Sequence, residues 1–179
     1  MSRIIIGIDP GVNWAHVAID EPSGEILAQG LEKFPKALGL MRFREITLHA
    51  AAVADIPRFR CSEHVHIGIE VMATVKPFKR GGTGRAGGTR TTLAILHQII
   101  GASLSGLLSA EDAWPAGRGG PVTVVNIEAD RCSKRHKYIL AKAAGLDFTG
   151  IADTLREHYA DAWYIADLLR RKLHLLKDR

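Results

Sequence analysis

Apolar residues fall into short runs of period two and longer stretches of period three to four, and the alternation between these patterns outlines the fold. Residues 4–9, Ile4-Ile5-Ile6-Gly7-Ile8-Asp9, form an apolar strand stopped by Pro10 and Gly11. Residues 15–20 and 25–31 follow in strand period, with Pro22-Ser23-Gly24 as a tight turn between them, so the chain opens with a three-strand antiparallel meander. Leu38, Leu40, Met41, Ile46, Leu48, Ala52 and Val53 then recur at helical intervals until Pro57. Residues 65–70 return to strand period. A Gly- and Arg-rich loop is expected over residues 79–90, a long apolar helix over 91–108, a strand over 122–127, a basic helix over 133–144 and a closing helix over 151–176. The order βββαβαβαα predicts an α/β fold: one mixed five-stranded sheet with helices on both faces, in a single domain over residues 1–179. In such a sheet the first strand is central and the strand after the first helix lies beside it, so Asp9 and Glu70 would end side by side.

Those strand ends carry the candidate chemistry. Glu70 closes Val65-His66-Ile67-Gly68-Ile69-Glu70 as Asp9 closes the first strand, and both would present carboxylates at a sheet edge. His158 and Asp161 lie three apart in the closing helix, hence on one helix face. If that helix crosses the sheet edge, the four side chains form a set of metal ligands. Each has an ordinary alternative. Asp9 followed by Pro and Gly is a common turn, the His158/Asp161 pair could be a solvated helix face, and Glu157 or Asp153 could stand in for His158.

Composition narrows the partner rather than the fold. A hydrophobic share of 46% is enough for a sizeable core, and 24 Lys and Arg against 19 Asp and Glu give a net charge of +5, which favours a polyanionic partner. Cys61 and Cys132 have no metal-binding spacing and read as reduced thiols. The longest apolar stretch is interrupted by His97 and Gln98 and falls short of the ~20 residues of a bilayer span. With no export signal over residues 1–8, the expectation is no membrane association and a cytoplasmic location, in a bacterial or phage-infected cell.

The motifs Ile6-Gly7-Ile8-Asp9-Pro10-Gly11, Ile67-Gly68-Ile69-Glu70 and His158-Tyr159-Ala160-Asp161-Ala162 resemble the RuvC family of Holliday-junction resolvases, in the same order and over nearly the whole chain. The resemblance implies a ribonuclease-H-like fold, a homodimer, two Mg²⁺ ions per active site and paired nicking of four-way DNA junctions. It also implies Asp9, Glu70, His158 and Asp161 as the metal ligands. Many members carry Asp where this chain has His158. The segment between Glu70 and the helix at residue 91 is longer and richer in Gly than the family pattern, which suits its viral or phage branches.

The chemistry is consistent with that reading. Phosphodiester hydrolysis needs an activated water and a neutralised leaving oxygen, which two ions about 4 Å apart can supply. Asp9 would bridge the ions, Glu70 would hold one, and His158 and Asp161 the other, with Mn²⁺ able to replace Mg²⁺. Phe78, Lys79, Arg80, Arg85 and Arg90 around the Gly-rich loop, and Arg131, Lys134 and Lys137 at the basic helix, are the candidate DNA contacts. Lys134 or Lys137 resembles the family's phosphate-binding lysine. Gly82, Gly84 and Gly87 have dinucleotide-fingerprint spacing, but the surrounding elements are wrong for a dinucleotide fold and Gly88 stands where a phosphate loop requires Lys. Rival readings are a broader fork or flap endonuclease, an actin-like ATPase or kinase, and a catalytically silent junction-binding protein. A helicase partner is not identified by the sequence.

Overall fold

The computed structural model describes residues 3–55, 64–71, 86–112, 122–128 and 132–177. Strands β1 (Arg3–Asp9), β2 (Asn13–Asp20) and β3 (Ile26–Lys33) form the expected antiparallel meander. A short 3-10 turn (Lys36–Leu38) leads into helix α1 (Met41–Asp55), followed by β4 (His64–Val71), α2 (Ala86–Asp112), β5 (Val122–Glu128), α3 (Lys134–Ala143) and α4 (Asp153–Lys177). The five strands make one sheet in the order β3-β2-β1-β4-β5, with β4 parallel to both β1 and β5. The first strand is central, as the pattern predicts.

Strand period sorts the side chains of β1 and β4 into two layers. Ile4, Ile6 and Ile8 of β1 and Val65, Ile67 and Ile69 of β4 enter one core with Ile46, Ala50 and Val53 of α1 and Ile99 and Leu107 of α2. Ile5 points to the opposite face, where Trp163, Ile165, Ala166 and Leu169 of α4 and Ala141 of α3 build a second core. A sheet buried on both faces explains why β1 is nearly all apolar instead of alternating. Gly7 lies on the α4 face, and a Cβ placed there would meet the Ala162 carbonyl at 2.0 Å and the Ala166 amide nitrogen at 2.5 Å. Only glycine lets the backbone of α4 rest directly on β1 at this point. Gly68 is its register partner on β4, beneath Ile165.

One element starts earlier than the sequence predicts. Residues 86–90, expected in the Gly-rich loop, form the first turns of α2, so Arg90 belongs to a helix. Gly87 and Gly88 look like breakers, but a helix nucleated by later apolar turns extends backward at one hydrogen bond per added residue. One side of α2 packs on α1, where Thr47 Oγ1 lies 3.1 Å from the Ala102 carbonyl, while Leu108 is 48% exposed. Among the described residues, no helix is long and apolar enough to cross a membrane.

Candidate active site

The site forms where β1 and β4 end together under α4. Ile8 pairs with Ile69, so Asp9 and Glu70 are the next residues on two parallel neighbours. Parallel strands lie about 4.8 Å apart, which sets the scale of the gap between the two backbones. Helix α4 crosses this edge because Gly7 admits Ala162, and the preceding turn of the helix then brings His158 over Asp9. His158 Nδ1 lies 2.7 Å from Asp9 Oδ2. Its other ring nitrogen, Nε2, lies 3.2 Å from the Nδ2 of Asn13, the first residue of β2. With Nδ1–H donated to the carboxylate, Nε2 of the neutral ring accepts from the Asn13 amide.

Asp161, one turn further along α4, accepts a 2.7 Å hydrogen bond from Lys137 Nζ. That lysine comes from α3, whose start is fixed by Ser133, the N-cap that accepts from the His136 amide through Oγ. Lys137 is 6% exposed and also sits over the Tyr164 ring, 5.1 Å from its centroid. The two basic-helix lysines given as candidate DNA contacts therefore differ in setting. Lys134 is solvent-exposed and paired with Glu157 at 2.8 Å, whereas Lys137 points inward to the carboxylates. Glu157 is engaged by Lys134, and the 88%-exposed Asp153 pairs with Arg156, so of the three α4 candidates it is His158 that faces Asp9.

Burial and crowded negative charge dominate the electrostatics. Burial raises Asp9 above the ordinary aspartate range and the Asp161 charge adds to this, against the opposing pull of the His158 hydrogen bond. Glu70 is raised first by burial and then by the Asp9 charge. The Asp9 hydrogen bond holds His158 above the usual imidazole value, outweighing partial burial. Burial favours a neutral Lys137, but the Asp161 hydrogen bond and the Asp161 and Glu70 charges outweigh it and raise the ammonium. Three carboxylates in this state are short of positive charge, and hard oxygen donors with one imidazole suit a divalent cation of the Mg²⁺ or Mn²⁺ type. Among the described residues, no group of three His, Cys, Asp or Glu side chains stands as a ready-made metal cage. Asp9 is turned to His158 and Asp161 to Lys137, so two of the three carboxylates are occupied by the chain's own nitrogen groups.

The sequence reading did not single out Asn13, and it gave Lys137 as a candidate DNA contact and, with Lys134, as one of two lysines resembling the family's phosphate-binding lysine. Asn13 directly follows the Asp9-Pro10-Gly11-Val12 turn, and that proximity to Asp9 was the available signal. Phe78, Lys79, Arg80, Arg85 and Arg131 lie outside the described residues, as does Cys61.

The class defined by this geometry is the ribonuclease-H-like mixed α/β fold, with acidic residues at the ends of the central strands. Among solved structures, the chain is similar to Thermus thermophilus RuvC in complex with a Holliday junction substrate: 19% identity, a TM-score of 0.54, and coverage of 92% of this chain and 90% of that one. It is equally similar to a second Thermus thermophilus RuvC structure, at 19% identity and TM-score 0.54 over 91% of this chain and 90% of that one. No protein-family model and no curated protein sequence matches it. The chain thus has the fold of RuvC over nearly its whole length.

Proposed function

We propose that this protein is a divalent-metal-dependent endonuclease for four-way DNA junctions, a Holliday-junction resolvase that acts as a homodimer with Mg²⁺. The observation that carries this reading is the arrival of His158 and Asp161, one helical turn apart, over the adjacent strand ends that bear Asp9 and Glu70. The RuvC-like fold and the net charge of +5 support it.

Asp9, Glu70 and Asp161 would hold the metal, and His158 would complete the set through a ring nitrogen. When bound, the metal supplies an activated water and neutralises charge on the leaving oxygen. The chain's own residues do the positioning. Asp9 fixes the His158 ring through Nδ1, Asn13 holds Nε2 until a metal takes that lone pair, and Lys137 sets the direction of the Asp161 carboxylate in the metal-free protein. Basic side chains, Lys134 among those described, would meet the phosphate backbone.

The decisive assay is a labelled four-way junction incubated with Mg²⁺, wild type beside Asp9→Asn, with products mapped on all four strands and with fork, flap and duplex DNA run alongside. Paired symmetric nicks confined to the junction and lost in the variant are expected. Equal cutting of forks and flaps would favour the broader branched-DNA endonuclease. Binding without any metal-dependent nicking would leave a silent junction-binding protein.

A further inference from the structure

The Lys137–Asp161 pair stands out among the ion pairs of the described residues. Most of the others have an exposed member, but here the two side chains are 7% and 13% exposed and the nitrogen and oxygen are 2.7 Å apart. The lysine is placed by three features of two helices, α3 and α4. The Ser133 cap orients the start of α3, Asp161 receives the ammonium, and the Tyr164 ring lies under it. A buried ammonium is retained only where local negative charge compensates its lost hydration. The sources of that charge are Asp161, directly bonded, and Glu70. Both are residues that the proposed function gives to the metal.

Lys137 and a divalent cation therefore have claims on the same oxygen. Asp161 Oδ1 cannot point its bonded lone pair at the lysine and also donate it to a metal, and two cations in one small buried volume repel. We propose that Lys137 is the internal counter-cation of the site: it holds Asp161 in the metal-free protein and yields that oxygen when a divalent cation binds. The inference rests on the metal-dependent reading above and adds a competitor to it. In this arrangement the acidic cluster can fold without metal, because one of its charges is already matched, and the cost appears as weakened metal affinity. Removing the lysine should then tighten metal binding while destabilising the metal-free protein. A lysine that only packs or only holds shape would instead weaken metal binding when removed.

The test measures Mn²⁺ binding directly, by electron paramagnetic resonance of free Mn²⁺, in the full chain without DNA. Wild type, Lys137→Gln, Lys134→Gln and Asp9→Asn are compared. Lys137→Gln should bind Mn²⁺ tighter by about tenfold, the least expected from removing a competing unit charge a few ångströms away at protein-like dielectric. Lys134→Gln, whose ammonium is exposed and paired with Glu157, should stay near wild type. Equal or weaker binding in Lys137→Gln would overturn the inference while leaving the metal-dependent function standing. Wild type that binds no Mn²⁺ at millimolar concentration would remove that function and this inference with it. Should Lys137→Gln not fold, the wild type answers by nuclear magnetic resonance under Mg²⁺ titration. The Lys137 ε-methylene, shielded by Tyr164, should move toward the ordinary lysine position. An unmoved signal at Mg²⁺ saturation would equally overturn the inference.

Discussion

His158 is held through both ring nitrogens, and the consequence is a pH dependence of known sign. Metal ligation needs a neutral imidazole, and the Asp9 hydrogen bond holds the ring protonated above its ordinary 6.5. Nicking with DNA saturating should fall as pH drops through the imidazole range near ~6.5, and a flat rate from pH 5 to 8 would remove His158 from the ligand set. The metal-free fold responds in the opposite direction. The Asp9–His158 contribution is complete below pH 6.5 and is lost as pH rises through the raised value. His16 behaves conversely. It is buried beside Trp14 and His49, and burial with the His49 charge lowers it to about 4, so the unfolded chain binds a proton that the folded one refuses. Stability should fall by up to about 3 kcal/mol as pH drops from 6.5 toward 4, at 1.36 kcal/mol per unit. Urea unfolding at the two pH values should show a smaller fall in His16→Gln. At this scale the sequence displayed the four candidate ligands, because each ends a strand or shares a helix face. It set Asn13 close to Asp9 but could not display the reach of its amide to His158 or the inward turn of Lys137, since those depend on which way a side chain leaves a turn and on how closely α3 approaches α4.

Helix α4 reaches the site because its backbone touches β1, and Gly7 is where it touches. Gly7→Ala forces a methyl into the Ala162 carbonyl at 2.0 Å, so the helix must lift. A loss of about 3 kcal/mol by chemical denaturation is expected, as for overpacking against backbone, together with weakened nicking as His158 withdraws from Asp9. A milder change is Ser133→Ala, which removes the cap of α3 and should cost about 1 kcal/mol. Hydrophobic period located the described strands and helices α1, α3 and α4 to within about three residues, the basic helix being expected to begin at about Ser133. The start of α2 was not located so closely. Gly87-Gly88 carries the local signature of a loop, and only the cooperativity of a helix already formed downstream carries the element back to Ala86.

For the molecule as a whole, the expected partner is DNA and the expected form is a dimer. Binding to a four-way junction should weaken steeply with added salt, because each neutralised phosphate releases counterions. Sedimentation at micromolar protein should show a dimer, as two symmetric cuts require two sites related by a two-fold axis. A monomer across that range would leave paired cutting without a basis. The mixed sheet itself was legible from element order alone, because three adjacent strands followed by alternating helices and strands leave few other arrangements. The parallel pairing of β1 with β4 makes strand length as strict a specification as residue identity. On β1 the odd positions face α4 and the even ones face α1 and α2, so inserting one residue between Gly7 and Asp9 would deliver the carboxylate to the opposite layer of the protein. The side chain would survive in the gene and vanish from the layer that faces α4, and a relative with one extra codon there should be tested for nicking before its acidic residues are counted.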